Sequence, residues 1–211
     1  MKLQVAIDRV DIARAEDVIS TLAEHADIIE IGTSLTKEFG VRALQPLAEK
    51  VRAMSNAPEL LGDIKTCDEG AYEFNLGYDC GFDYLTVMGS SSIGTLQVCY
   101  ESAQSHQAEM MIDLLECDDK RIESIAGFDN AVYCLHTSVD SGATADPVAQ
   151  VAAFKQRFPQ IKRIAIAGGI KEHQLAGLAR EGVEIAIMGS AITKADDMAQ
   201  ACAQCKQAMS I

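Results

Sequence analysis

Eight short aliphatic runs, each followed by a longer stretch of helical spacing, constrain this chain more than any other feature. The runs are LQVAID (Leu3–Asp8), DIIEIG (Asp27–Gly32), ELLGDIK (Glu59–Lys65), FDYLTVMG (Phe82–Gly89), EMMIDLLE (Glu109–Glu116), AVYCLH (Ala131–His136), RIAIAGG (Arg163–Gly169) and VEIAIMG (Val183–Gly189). Strands buried on both faces read as such near-continuous runs, because neither face can carry a polar alternation. Between them, IARAEDVISTLAEHA sets Ala13, Val18 and Leu22 on one helical stripe. In DPVAQVAAFKQRF, Asp146 is placed to cap a helix and Pro147 to occupy its first position. A last helical stretch runs from Ala195 to Met209. Strands alternating with helices make a parallel sheet. Eight such units close most economically into a (β/α)8 TIM barrel. A doubly wound open sheet is the alternative, but no GxGxxG follows the first run to support a dinucleotide fold. No linker or composition break divides residues 1–211, so the expectation is a single domain.

Composition narrows the partners. Hydrophobic residues make up 48 %, aromatics only 5 %, and Trp is absent, so small and branched aliphatics must fill the interior. A net charge of −13 argues against nucleic-acid and anionic-membrane surfaces, which require basic patches. A small anionic ligand stays possible, since backbone N–H groups at a helix start hold phosphate without net positive charge. The odd number of cysteines, seven, and a first strand that follows Met1 and Lys2 directly point to a reducing, cytoplasmic setting. No apolar run approaches the ~18 residues of a membrane span. Cys202 and Cys205 form a lone CAQC with no second pair of matching spacing, and read as ordinary helix residues.

The polar residues fall where a barrel would use them. In a barrel all strand C-termini meet on one face, the face that carries active sites. Asp8 ends the first run, Glu30 lies near the end of the second, and Asp63 and Lys65 end the third, with Asp68 in the loop beyond. Asp113 sits within the fifth run and His136 ends the sixth; Gly168–Gly169 and Gly189–Ser190 end the seventh and eighth. Each has a plainer reading as well. Asp8 would cap the first helix, Lys65 would neutralise Asp63 and Asp68, and Asp113 and His136 would be satisfied buried groups. The glycines would only make tight turns. Glu30, between Ile29 and Ile31, needs a partner or a metal in either case. Glycine-ended strands seven and eight, each leading into a helix, match the usual barrel phosphate site.

The stretch DIKTCDEG (Asp63–Gly70) contains D-x-K-x-x-D, and this motif resembles that of the orotidine-monophosphate decarboxylase suprafamily. MKLQVAID, DIIEIGT, DYLTVMG, LHTSVD, AIAGGI and IMGSAIT extend the resemblance over essentially the whole chain. An acidic Glu30, where orotidylate decarboxylases have lysine and use no metal, looks like the Mg²⁺-dependent branch. That branch comprises hexulose-phosphate synthases and 3-keto-L-gulonate-6-phosphate decarboxylases. The resemblance implies Mg²⁺, with Mn²⁺ as a substitute, on Glu30 and Asp63; two carboxylates plus water and substrate oxygens suit that ion. It implies that Lys65 stabilises an enediolate and that His136 removes a proton from ribulose 5-phosphate, with formaldehyde as the second substrate. It also implies substrate hydroxyls on Asp8 and Asp113 and phosphate on Gly169, Gly189 and Ser190. Asp68 would reach the neighbouring subunit's site in a homodimer. Val139 and Ser190 stand where the decarboxylases of this branch have arginine, so decarboxylation is the second reading. A non-catalytic sugar-phosphate-binding barrel is the third. The stretch SGATADP after Asp140 differs from the glutamine- and alanine-containing loop usual in the synthases.

Overall fold

The aliphatic runs become the staves of a barrel because each strand can bury both faces only between an inner core and an outer helix layer. The computed structural model describes residues 1–138, 140 and 146–210. Its strands are β1 (Lys2–Ile7), β2 (Ile28–Ile31), β3 (Glu59–Thr66), β4 (Tyr84–Met88), β5 (Glu109–Asp113), β6 (Val132–His136), β7 (Ile164–Ala167) and β8 (Ile185–Met188). They pair in chain order, all parallel, and β8 closes on β1 with Gln4 opposite Ile187. The fold is therefore the single-domain (β/α)8 barrel rather than the open sheet.

The helices are α1 (Ile12–Leu22), α2 (Thr33–Phe39), α3 (Gln45–Arg52), α4 (Gly70–Asp79), α5 (Ile93–His106), α6 (Asp119–Ile125), α7 (Pro147–Arg157), α8 (Glu172–Arg180), α9 (Ser190–Thr193) and α10 (Met198–Ala208). Asp146 caps α7 through the Val148 N–H at 3.1 Å, with Pro147 first in the helix, as its spacing suggests. Asp11, and not Asp8, caps α1, accepting the Arg14 N–H at 2.7 Å. The last helix starts at Met198, later than the pattern from Ala195 suggests, where Asp197 caps it by accepting the Gln200 N–H at 2.9 Å. Cys202 and Cys205 are buried on α10 as free thiols.

The interior follows from strand alternation. Ile28, Leu61, Tyr84, Met111, Val132, Cys134, Ala165 and Ile185 face inward and pack as one buried cluster. A larger cluster fills the layer between strands and helices. Charged residues at the strand starts close the N-terminal end. Arg163 bonds Glu184 at 2.7 Å and Glu109 at 2.5 Å, and Lys2 pairs with Glu59. With that end closed, the inner space opens at the C-terminal end. No helix among the described residues is long and apolar enough to cross a membrane.

Candidate active site

A cavity of about 840 Å³ opens at the C-terminal ends of the strands. Asp8, Glu30, Asp63, Lys65, Asp113, His136, Gly169, Gly189 and Ser190 all line it. The sequence expectation therefore converges on one mouth, with a single exception. Asp68 is exposed in the turn between β3 and α4 and does not line the cavity of its own chain. Val139 and residues 141–145 of the SGATADP stretch lie outside the described residues.

Lys65 is the hub. It sits near the end of β3 with φ 46°, a left-handed conformation that costs a non-glycine residue energy. Its ammonium donates to both Asp63 oxygens, at 3.0 and 2.9 Å, and to Asp113 Oδ2 at 2.9 Å. Burial pushes the Lys65 pKa down, but the Asp63 and Asp113 carboxylates outweigh it and hold the amine above its ordinary value. The side chain is therefore a fixed positive charge at the cavity floor.

Asp113 is the last residue of β5 and not a mid-strand residue, although Leu114 and Leu115 extend its apolar run. Its Oδ1 accepts the Leu115 N–H at 2.9 Å, which turns the chain out of the sheet. Its Oδ2 meets His136 Nδ1 at 2.9 Å. Burial raises the Asp113 pKa, but the His136 hydrogen bond and the Lys65 charge outweigh it and hold it at about 2. An ionised carboxylate only accepts hydrogen bonds, so His136 Nδ1 must carry the hydrogen. In the neutral imidazole Nε2 is then the nitrogen with the lone pair, which is what a general base requires.

Glu30 is buried on β2, where Gln4 Nε2 donates to its Oε2 at 2.6 Å. Burial first, then repulsion from Asp63, pushes its pKa well above the carboxylate range. Gln4 Oε1, beside it, is buried without a hydrogen-bond partner. Two crowded carboxylates and an orphaned carbonyl oxygen form an all-oxygen donor set that fits a hard divalent cation such as Mg²⁺. Among the described residues no group of three or more His, Cys, Asp or Glu could hold a metal, so an ion here would rest on the two carboxylates together with other oxygens.

Asp8 does not cap α1; its carboxylate instead meets the first turn of α2. It accepts from Ser34 Oγ at 2.7 Å and from the Ser34 N–H at 3.2 Å. Gly32 makes this possible, because a Cβ there would lie 2.3 Å from the Asp8 carboxyl carbon. Just after β7, Gly168 and Gly169 take φ of 106° and 70°, and a Cβ on Gly168 would lie 2.6 Å from the Thr137 carbonyl oxygen. Their backbone thus lies open to the cavity in a shape that side-chain-bearing residues rarely adopt.

Several contributors carry no charge and were missed from sequence. Thr33 donates to Asp63 Oδ2, and Thr86 donates to Asp63 Oδ1 at 2.7 Å. Gln4 was visible as a polar residue within an apolar run, and Thr86 occupies an inward position of its strand. Arg9, Lys171 and Lys194 also line the cavity, adding positive charge within an acidic chain.

Comparison with known proteins places this geometry in a lineage. The model of the orotidine 5'-phosphate decarboxylase / HUMPS family matches residues 1–205. The 3-hexulose-6-phosphate synthase of Staphylococcus haemolyticus (strain JCSC1435) is 30 % identical over 212 residues, covering 99 % of each chain. That of Bacillus subtilis (strain 168) is 29 % identical over 210 residues, covering 98 % of each. The crystal structure of 3-hexulose-6-phosphate synthase from Salmonella typhimurium matches with a TM-score of 0.89 at 30 % identity, covering 99 % of this chain and 98 % of the other. The crystal structure of KGPDC from Streptococcus mutans shares the fold, with a TM-score of 0.87 at 20 % identity over 99 % of this chain and 96 % of the other. The chain therefore belongs to the orotidine 5'-phosphate decarboxylase / HUMPS family.

Proposed function

We propose that the protein is an aldol-type lyase that condenses formaldehyde with ribulose 5-phosphate to give 3-hexulose 6-phosphate. The observation that carries this reading is the Lys65–Asp113–His136 chain of 2.9 Å contacts, which sets a base beside a fixed positive charge. Full-length similarity to 3-hexulose-6-phosphate synthases supports the choice of substrates.

His136 Nε2 takes a proton from C1 of ribulose 5-phosphate, and Asp113 stabilises the resulting imidazolium. The C–H electron pair moves toward the C2 carbonyl, giving an enediolate whose negative charge meets the Lys65 ammonium. The C1 carbon then bonds to the carbon of formaldehyde. The carbonyl electrons of formaldehyde become an alkoxide, which recovers the proton from His136. Glu30 and Asp63 would hold a Mg²⁺ or Mn²⁺ ion, which as a Lewis acid would lower the energy of negative oxygen in this cavity. Asp8 orients substrate hydroxyls, and the backbone of Gly169, Gly189 and Ser190 receives the phosphate. Asp68 serves the neighbouring subunit of a homodimer.

The proton step is testable by itself. In D₂O with Mg²⁺ and without formaldehyde, the wild type should exchange the C1 proton of ribulose 5-phosphate. His136→Ala should slow this exchange by about 10²-fold or more. A wild type with no exchange above background contradicts the reading.

A further inference from the structure

The β3–β4 pairing breaks at the catalytic strand end. Gly62 pairs with Leu85 and Thr66 with Val87, so Asp63, Ile64 and Lys65 together stand opposite Thr86 alone. Such a bulge leaves ladder groups without backbone partners and re-aims the side chains it carries. Here the Thr86 side chain takes over. Its Oγ1 accepts the Lys65 N–H at 2.9 Å and donates to Asp63 Oδ1 at 2.7 Å. Thr86 is 3 % exposed, so no bulk water replaces either bond.

We propose that Thr86 is the positioning residue of this site, its one hydroxyl holding both Lys65 and Asp63 in working geometry. The accepted bond fixes the Lys65 backbone at φ 46° and so aims the ammonium at Asp63 and Asp113. The donated bond fixes one oxygen of Asp63 while Thr33 holds the other. A hydroxyl can accept and donate at once; a methyl can do neither. The proposal deepens the reading above, in that it takes Lys65 as the charge that meets the enediolate.

Thr86→Val keeps the side-chain volume and removes the hydroxyl, and Thr86→Ser keeps the hydroxyl. For C1 proton exchange, Thr86→Val should lower kcat by about 10²-fold, with KM changed by less than about threefold, since the loss is alignment and not binding. Thr86→Ser should stay within about fivefold of wild type. A merely structural role would lower the melting temperature of the valine variant and leave kcat near wild type at a temperature where it is folded. Crystal structures of the two variants give an answer independent of turnover. In Thr86→Val, Lys65 should leave the left-handed region and Nζ should lose Asp63 or Asp113; in Thr86→Ser, both contacts should persist. An unmoved Lys65 in the valine variant overturns the proposal, as does a serine variant whose Lys65 has moved. If the wild type catalyses no exchange, the proposed reaction falls, while the crystal structures still decide the role of Thr86.

Discussion

At the scale of single residues, the site is a set of charges that fix one another. Asp113 touches both Lys65 and His136 through the same oxygen, so its ionisation decides both the charge network and the histidine tautomer. Its pKa is depressed from 3.8 to about 2 in the fold. The stabilisation this represents is fully present above about pH 4 and is lost as the pH falls through about 2, since below both values the two states bind the proton equally. It amounts to about 2 kcal/mol. Urea unfolding of wild type and Asp113→Asn between about pH 5 and pH 2 should show this as an extra loss of about 2 kcal/mol in the wild type alone. Parallel pH profiles would mean that Asp113 is not held ionised by its neighbours. These charges were legible in the sequence because charge at the end of an apolar run is costly and therefore conspicuous. Thr86 was not legible, because a threonine in a strand is ordinary, and only the β3 bulge makes it the sole residue opposite three others.

At the scale of elements, aliphatic runs and helical stretches were enough to give strand order and closure. Strand ends were harder to read. Leu114 and Leu115 continue the β5 run, yet the chain leaves the sheet after Asp113, where a carboxylate bonds the backbone two residues on. The β2–α2 junction shows how an element end controls a site residue. Gly32 has φ −66°, a conformation open to any residue, so its role is steric and not torsional. An alanine Cβ would lie within 2.4 Å of the three Asp8 carboxyl atoms, and Asp8 would have to leave its Ser34 contacts. Gly32→Ala should therefore raise KM for ribulose 5-phosphate by about tenfold while changing kcat less, the pattern of lost substrate binding. Steady-state kinetics on the folded variant check this, and an unchanged KM would remove Asp8 from the substrate site.

At the scale of the whole molecule, the barrel gathers residues from β1, β2, β3, β5 and β6 at one mouth and closes the opposite end with ion pairs. The one charged motif residue it does not bring inward is Asp68, which is exposed beyond β3; its place in a neighbouring subunit's site rests on the family resemblance alone. A site shared between subunits depends on the partner's surface, which the hydrophobic pattern of one chain does not encode. If Asp68 serves the neighbour, mixing Asp68→Ala with His136→Ala subunits should restore about a quarter of native sites by random assortment into dimers. Activity that stays at the level of the separate variants would place Asp68 in its own subunit's site or outside the chemistry. The central claim is the fate of the enediolate. Its most direct test is a paired assay with Mg²⁺: formaldehyde plus ribulose 5-phosphate in one arm, 3-keto-L-gulonate 6-phosphate in the other. Condensation should exceed decarboxylation by at least about tenfold in kcat/KM, roughly 1.4 kcal/mol of transition-state stabilisation. Faster release of CO₂ from the gulonate substrate than condensation of formaldehyde would contradict the account.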